Sequence, residues 1–211
     1  MAIRGIIFDH DGTLVDSYEG IARCMQLTCH DLGEPDMTQE ELHASIGPTL
    51  EDRFTELWGE KVAAKAARIY RGHYESHFVS GTRLLAGVAE TLDAIAEKGI
   101  LIACATNKTQ HYCVRQLEHF GLMERMDIVI GFKQGFPPKP DPAMLQAALE
   151  KMGIAPDDAA MVGDTPIDVA AARAAGVRAW AVRSDFSTRE EMERAGADLH
   201  FEQITNILDF L

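Results

Sequence analysis

Four short segments of this sequence hold polar residues whose types and spacing could carry out chemistry. In chain order they contain Asp9 with Asp11, Thr106 with Asn107, Lys139 within Pro137-Pro138-Lys139-Pro140, and Asp164 with Asp168. Asp9 and Asp11 follow an apolar run two residues apart, so an extended backbone would direct both carboxylates to the same side. One carboxylate can attack phosphorus, while the other protonates the leaving oxygen and then activates water. The pattern predicts phosphoryl transfer, with Asp9 as the nucleophile and Asp11 as the acid and base.

A carboxylate that attacks an anionic phosphate needs cations beside it. Two unit charges 4 Å apart interact by about 4 kcal/mol at an effective dielectric constant of 20. Lys139 is the one protein cation among the four segments, and it faces several carboxylates as well as the phosphate. We therefore expect a divalent metal, and oxygen ligands favour Mg²⁺. Asp9 and Asp164 are the expected ligands, and Asp168 is expected in the same metal site, in the second coordination shell.

The elements that position these residues follow a regular alternation. Ile3 to Phe8 is an apolar, β-branched run that predicts a buried strand ending at Asp9. After Gly87, helical and strand patterns alternate to the end of the chain. They predict, among other elements, helices from Val88 to Glu97 and from Pro166 to Ala175, a strand from Arg178 to Val182, and a closing helix near Ile204 to Leu211. This alternation predicts an α/β fold, a Rossmann-like, doubly wound and mostly parallel sheet. The carboxyl ends of such strands are where ligands bind, and the four polar segments follow strands.

A helical insertion interrupts this pattern. From residue 17 to residue 81 the strand signal is absent, and helical patterns include a capping-box spacing at Thr38-x-x-Glu41 and a long stretch from Glu60 to His77. We predict a discontinuous α/β core formed by residues 1–16 and 82–211, with residues 17–81 as an inserted helical domain.

The four segments together resemble, in order, the four motifs of the haloacid dehalogenase-like hydrolases. The resemblance rests on Asp9-His10-Asp11-Gly12-Thr13, Thr106-Asn107, Lys139, and Gly163-Asp164-x-x-x-Asp168. It covers essentially the whole chain, since the helical insertion resembles that family's cap domain, and the phosphoglycolate phosphatase-like branch is the most similar. The sequence departs from the pattern of that family at two places: His10 is polar, and Leu85-Ala86-Gly87 lacks a proline before the glycine.

This resemblance implies roles for individual residues. Thr106 and Asn107 would contact phosphate, Lys139 would neutralise charge, and Asp164 would bind Mg²⁺ together with the backbone carbonyl of Asp11. An acid at position 11 favours phosphate esters over dehalogenation within the family. In the cap, the loop containing Gly47 and Thr49 would help to select the substrate. An ordinary loop between two helices explains these residues equally well. Arg53 could meet a substrate carboxylate, or it could be an ordinary surface arginine.

Composition excludes other classes of function. The formal net charge is −13, and the absence of a Lys/Arg cluster argues against nucleic-acid and anionic-membrane partners. A small phosphorylated metabolite is the expected partner, and the oligomeric state is left open between monomer and homodimer. The four cysteines lack a C-x-x-C spacing, which favours free thiols and a cytoplasmic location.

Two alternatives to hydrolysis stay open. A phosphomutase of the same architecture would pass the phosphoryl group to a sugar hydroxyl instead of water, and the motifs do not separate the two. A non-catalytic phosphate- or partner-binding module could keep the fold without the reaction. The intact pair of Asp9 and Asp11 argues against this second alternative.

Overall fold

The structure, a computed structural model, describes residues 2–211 and divides into two compact units. The first unit is an α/β unit, formed by the chain up to Val15 together with Leu84–Leu211. The second is a helical unit, Asp16–Arg83. Whether they act as a catalytic core and a cap stays a prediction. Among the described residues no helix is long and apolar enough to span a membrane.

A six-stranded parallel sheet forms the centre of the α/β unit. Its strands are β1 (Gly5–Phe8), β4 (Leu101–Thr109), β5 (Ile128–Phe132), β6 (Ala159–Gly163), β7 (Arg178–Val182) and β8 (Leu199–Phe201), in the order β5-β4-β1-β6-β7-β8. β1 pairs with β4 on one side and with β6 on the other, so that Phe8 lies opposite Cys104 and Val162. The predicted fold class is confirmed, and β1 occupies a central position from which its last residue reaches both neighbours.

Helices cover both faces of this sheet. They are α5 (Val88–Glu97), α6 (Gln110–His119), α7 (Ala143–Met152), α8 (Pro166–Ala175), α9 (Arg189–Ala195) and a closing 3₁₀ segment (Ile204–Phe210). On β1, Ile6 and Phe8 pack into one hydrophobic cluster with side chains of α5 and α6, and Ile7 packs into the other with α7 and α8. Because both faces are covered, every residue of β1 is buried, which explains its continuous apolar sequence.

The helical unit contains α1 (Tyr18–Leu32), α2 (Gln39–His43), α3 (Leu50–Trp58) and α4 (Glu60–His77). Thr38 and Glu41 form the predicted capping box at the start of α2. Aromatic rings of α3 and α4 contact one another, with a distance of 5.9 Å between the ring centroids of Phe54 on α3 and Tyr70 on α4. These contacts bury one face of each helix against the other.

Several predicted elements differ from those observed. The closing segment is a 3₁₀ helix, and the strand β8 was missed because Leu199-His200-Phe201 is too short to show an alternating pattern. Two two-residue strands, β2 (Val15–Asp16) and β3 (Arg83–Leu84), pair with each other and were also missed. β4 continues through Thr106 and Asn107, which were predicted to lie in a loop, and its pairing with β5 shifts register after Thr106.

Candidate active site

The carboxyl ends of the parallel strands β1, β5 and β6 bring four predicted residues together. Asp9 follows β1 directly, and Asp164 follows β6. Carboxylate oxygens of Asp9, Asp164 and Asp168 all lie within 4.8 Å of one another, and all three residues are buried. The side chain of Lys139 joins this cluster from the loop between β5 and α7. Adjacent parallel strands thus place distant parts of the sequence at one edge of the sheet.

Lys139 links two of the carboxylates. Its Nζ donates to Asp9 Oδ1 at 2.7 Å and to Asp168 Oδ1 at 2.6 Å, and its side chain is 2% exposed. Burial lowers the pKa of Lys139, but the charges of Asp168 and Asp9 outweigh it and raise the pKa above its ordinary value. The lysine is therefore a permanent cation at the centre of the cluster.

Asn107 holds the loop that carries Lys139. Its Nδ2 donates to the Lys139 carbonyl at 2.9 Å, and its Oδ1 accepts from the Lys139 backbone N–H at 2.8 Å. Both ends of the amide are engaged with one residue, which favours a positioning role over the predicted phosphate contact. The neighbouring Thr106 is buried, and its Oγ1 accepts from the backbone N–H of Lys108 at 3.2 Å.

Asp164 presents an oxygen that the protein does not use. Thr13 Oγ1 donates to Asp164 Oδ1 at 3.0 Å, whereas Oδ2 is buried and has no hydrogen-bond partner among residues 2–211. Gly12 has a φ of 85°, and a Cβ at this position would overlap the Asp164 carboxylate. Glycine is therefore required at position 12 both for the backbone conformation and for the approach of Asp164.

Asp168 is held in place by its own helix. Its Oδ2 accepts from the Thr165 backbone N–H at 3.1 Å and from Thr165 Oγ1 at 2.7 Å, which forms a capping box at the start of α8. Its other oxygen binds Lys139. With both oxygens engaged, Asp168 suits the orientation of Lys139 better than direct metal ligation.

The charges of this cluster do not balance. Burial raises the pKa of Asp9 to about 6, with a further contribution from the charge of Asp168. Burial, then the charges of Asp168 and Asp9, raise the pKa of Asp164 well above its ordinary value. When ionised, three carboxylates and one ammonium leave two negative charges in a buried site. The donor set is all oxygen, and Asp164 Oδ2 is unpaired, so the residues fit a divalent cation such as Mg²⁺.

Asp11 has a partner that sequence reasoning missed. Lys108 Nζ donates to Asp11 Oδ1 at 2.9 Å and to Oδ2 at 3.0 Å, and the lysine side chain is only 5% exposed. The Asp11 carboxylate is thereby engaged by Lys108, and it does not belong to the metal-compatible cluster found among the described residues. The position of Lys108 directly after Thr106-Asn107 was the signal that could have identified it.

The three residues predicted to select substrate lie in the helical unit. Gly47 has a φ of 102° in the loop before α3, and Thr49 caps α3 by accepting from the Asp52 backbone N–H at 3.1 Å. Arg53 is buried rather than on the surface, and its guanidinium donates to the Ser45 hydroxyl, the Glu41 carbonyl and Glu56. These contacts give Arg53 a structural role within its own unit. Contacts of these residues with substrate stay predictions.

The fold and the site define a hydrolase of the haloacid dehalogenase-like class. The sequence model of the haloacid dehalogenase-like hydrolases matches residues 6–182, and the chain belongs to that family.

Among curated relatives, the phosphoglycolate phosphatase of Nitrosospira multiformis is 30% identical over 94% of this chain and 91% of its own length. The phosphoglycolate phosphatase of Rhodospirillum rubrum is 32% identical, over 99% of this chain and 90% of its own length. A solved haloacid dehalogenase-like family hydrolase from Streptococcus pneumoniae has the same fold, with a TM-score of 0.90, 24% identity, and coverage of 99% of this chain and 98% of its own.

Proposed function

We propose that this chain is a Mg²⁺-dependent phosphatase that hydrolyses a small phosphate monoester through a phosphorylated Asp9. Membership of the hydrolase family and the phosphoglycolate phosphatases among its relatives support the class of phosphoric monoester hydrolase. The buried cluster of Asp9, Lys139, Asp164 and Asp168 is the single observation that carries the proposal.

The cluster matches what the reaction requires. Phosphoryl transfer depends on positioning and on neutralising the charge of the phosphate oxygens. When bound, Mg²⁺ would be held by Asp9 and Asp164 and would supply the positive charge that Lys139 alone does not provide. Lys139 keeps its proton and its position because Asp168 and Asn107 hold the side chain and the backbone respectively.

Two carboxylates have separate tasks in this reaction: Asp9 forms the bond to phosphorus, and Asp11 transfers protons. A carboxylate oxygen of Asp9 attacks phosphorus, and the bond to the leaving oxygen breaks as that oxygen takes a proton from Asp11. For this step Asp11 must first be protonated, and the protonated oxygen must release its contact with Lys108. Water then attacks the phosphoaspartate while Asp11 accepts a proton from it, which releases phosphate and restores Asp9. Lys108 binds both Asp11 oxygens and holds that carboxylate in one orientation.

Phosphoglycolate is the favoured substrate, since relatives that match nearly the full chain carry that activity in their names. A small anionic metabolite also agrees with the formal net charge of −13, which disfavours polyanionic partners. A cytoplasmic location, with either a monomer or a homodimer, stays part of the proposal.

A phosphate-release assay tests the reaction. Purified protein with Mg²⁺ should release phosphate from phosphoglycolate and, more slowly, from an aryl phosphate. Asp9→Asn should abolish release, whereas Asp209→Asn, an exposed carboxylate on the closing segment, should leave it unchanged. Activity that survives Asp9→Asn would defeat the assignment of the nucleophile. Conversion of a hexose 1-phosphate to the 6-phosphate without free phosphate would instead identify a mutase.

A further inference from the structure

A second group of potential metal ligands lies inside the α/β unit and shares no residue with the carboxylate cluster. It consists of His10, Cys104 and Cys113, which come from the residue between Asp9 and Asp11, from β4 and from α6. All three residues are 0% exposed. One ring nitrogen of His10 and the two sulfurs lie within 4.8 Å of one another, and the sulfurs are 3.9 Å apart.

The two ring nitrogens of His10 have different surroundings. Its Nε2 lies 2.8 Å from Gln116 Oε1, and because an amide oxygen can only accept, Nε2 carries the proton. In the neutral imidazole Nδ1 then keeps its lone pair, and this buried atom has no hydrogen-bond partner within the described chain. Histidines that bind metals typically donate their other ring N–H to an oxygen, which fixes the tautomer.

The spacing of the three ligand atoms suits a thiophilic ion. Two sulfurs bound to one tetrahedral zinc at 2.3 Å each would be about 3.8 Å apart, close to the 3.9 Å observed. With the other separations at 4.8 Å or less, some point lies within about 2.6 Å of all three atoms. A tetrahedral zinc places sulfur and nitrogen about 3.6 Å apart, so binding would move the His10 nitrogen towards the sulfurs by about 1 Å at most.

Charge balance selects the kind of ion. Thiolates and imidazole together bind Zn²⁺ and Cu⁺ well. Two thiolates and a neutral imidazole would make a neutral complex with Zn²⁺ but an anionic one with Cu⁺. An uncompensated charge in a fully buried site is costly, so the divalent ion is favoured.

We propose that His10, Cys104 and Cys113 form a second, buried metal site that binds Zn²⁺. Binding forms two Zn–S bonds and one Zn–N bond, breaks two S–H bonds, and releases two protons to solvent. In the free protein the Cys104 thiol keeps its proton, because contact with Cys113 and burial place its pKa well above the ordinary value. Because His10 separates Asp9 from Asp11, the ion would be attached to the same loop as the candidate nucleophile and acid.

Metal content and spectroscopy test this site without reference to phosphatase activity. The chain would be produced with Zn²⁺ supplied during folding, dialysed against excess Mg²⁺ to fill oxygen-ligand sites, and analysed by native mass spectrometry. One Zn²⁺ per chain is expected. Refolding with Co²⁺ should give the thiolate-to-metal charge-transfer absorption that oxygen ligands cannot produce.

Matched variants locate the site. Cys104→Ser and Cys113→Ser should each remove the charge-transfer absorption, while Cys24→Ser and Cys29→Ser, which change the other two buried free thiols, should keep it. Gln116→Leu keeps all three ligands and should weaken Zn²⁺ binding about 10- to 100-fold by releasing the imidazole. Far-ultraviolet circular dichroism would check that each variant folds. Absence of Zn²⁺ and of the absorption in the folded wild-type chain, or equal loss in all four serine variants, would overturn the proposal.

Discussion

Replacement of Asp9 by asparagine should stabilise the metal-free protein while removing its activity. Burial and the nearby Asp168 raise the pKa of Asp9 from 3.8 to about 6 in the folded chain. At 1.36 kcal/mol per pKa unit, ionised Asp9 therefore costs the fold about 3 kcal/mol. Asparagine resembles the protonated carboxyl in shape and carries no charge, so Asp9→Asn should recover this free energy of unfolding.

The effect should depend on pH in a definite direction. Below about pH 3, Asp9 is protonated in both folded and unfolded chains, and it adds no pH dependence. Between about pH 4 and pH 6 the folded chain keeps the proton that the unfolded chain has lost, so the free energy of unfolding falls as pH rises. The stabilisation by Asp9→Asn should thus be about 3 kcal/mol at pH 8 and close to zero at pH 4.

Urea unfolding measures this difference. A Trp58→Phe background leaves Trp180, which lies on β7 in the α/β unit, as the only tryptophan. Unfolding would be followed by its fluorescence in EDTA at pH 4 and pH 8, with and without Asp9→Asn. Removal of metal is essential, because bound Mg²⁺ would stabilise ionised Asp9.

An exposed carboxylate provides the control. Arg125 holds the pKa of Asp93 below its ordinary value, so Asp93→Asn should give no stabilisation at pH 8. An Asp9→Asn chain that is less stable than its parent at pH 8 in EDTA would refute the desolvation argument. The loss of the Lys139 ion pair would then outweigh the removal of the buried charge.

The remaining predictions concern the residues around Asp9. Lys139→Met should abolish phosphate release and lower the free energy of unfolding at pH 8 by about 3–5 kcal/mol, measured by urea titration, because it leaves buried carboxylates without their cation. Asn107→Ala should cost about 1–3 kcal/mol by the same titration and lower kcat, because the Lys139 backbone loses two hydrogen bonds. Chelation by EDTA should remove activity and excess Mg²⁺ should restore it. Gly12→Ala should weaken Mg²⁺ binding, measured by calorimetry, since its Cβ overlaps the Asp164 carboxylate.

The sequence predicted much of the α/β unit because its helices and strands carry unambiguous patterns. The helices Val88–Glu97 and Pro166–Ala175 and the strand Arg178–Val182 have the predicted bounds. Each consists of a clear apolar repeat ended by a turn residue or a charge. The strand Leu199–Phe201 is too short to show such a repeat. Its three residues form a strand because they pair with β7, which their composition does not reveal.

The candidate site was predictable at the level of residue type but not of side-chain partner. Parallel topology is enough to bring Asp9, Asp164 and the Lys139 loop to one edge of the sheet. Which atoms of Asn107 face Lys139 depends on the register shift at the end of β4, which no periodicity reveals. The buried contacts of Arg53 were equally hidden, since an arginine four residues into a helix resembles any surface residue.

Lys108 changes the charge count on which the expectation of a metal depends. Lys139 is the one protein cation expected from the four sequence segments, and Lys108 is a second one that is almost as deeply buried. Lys108 binds Asp11, however, and the two form a neutral pair separate from the cluster around Asp9. The cluster therefore keeps two uncompensated negative charges when it is ionised, and a monovalent cation would neutralise only half of them. The second lysine therefore leaves unchanged the expectation of a divalent ion at Asp9 and Asp164.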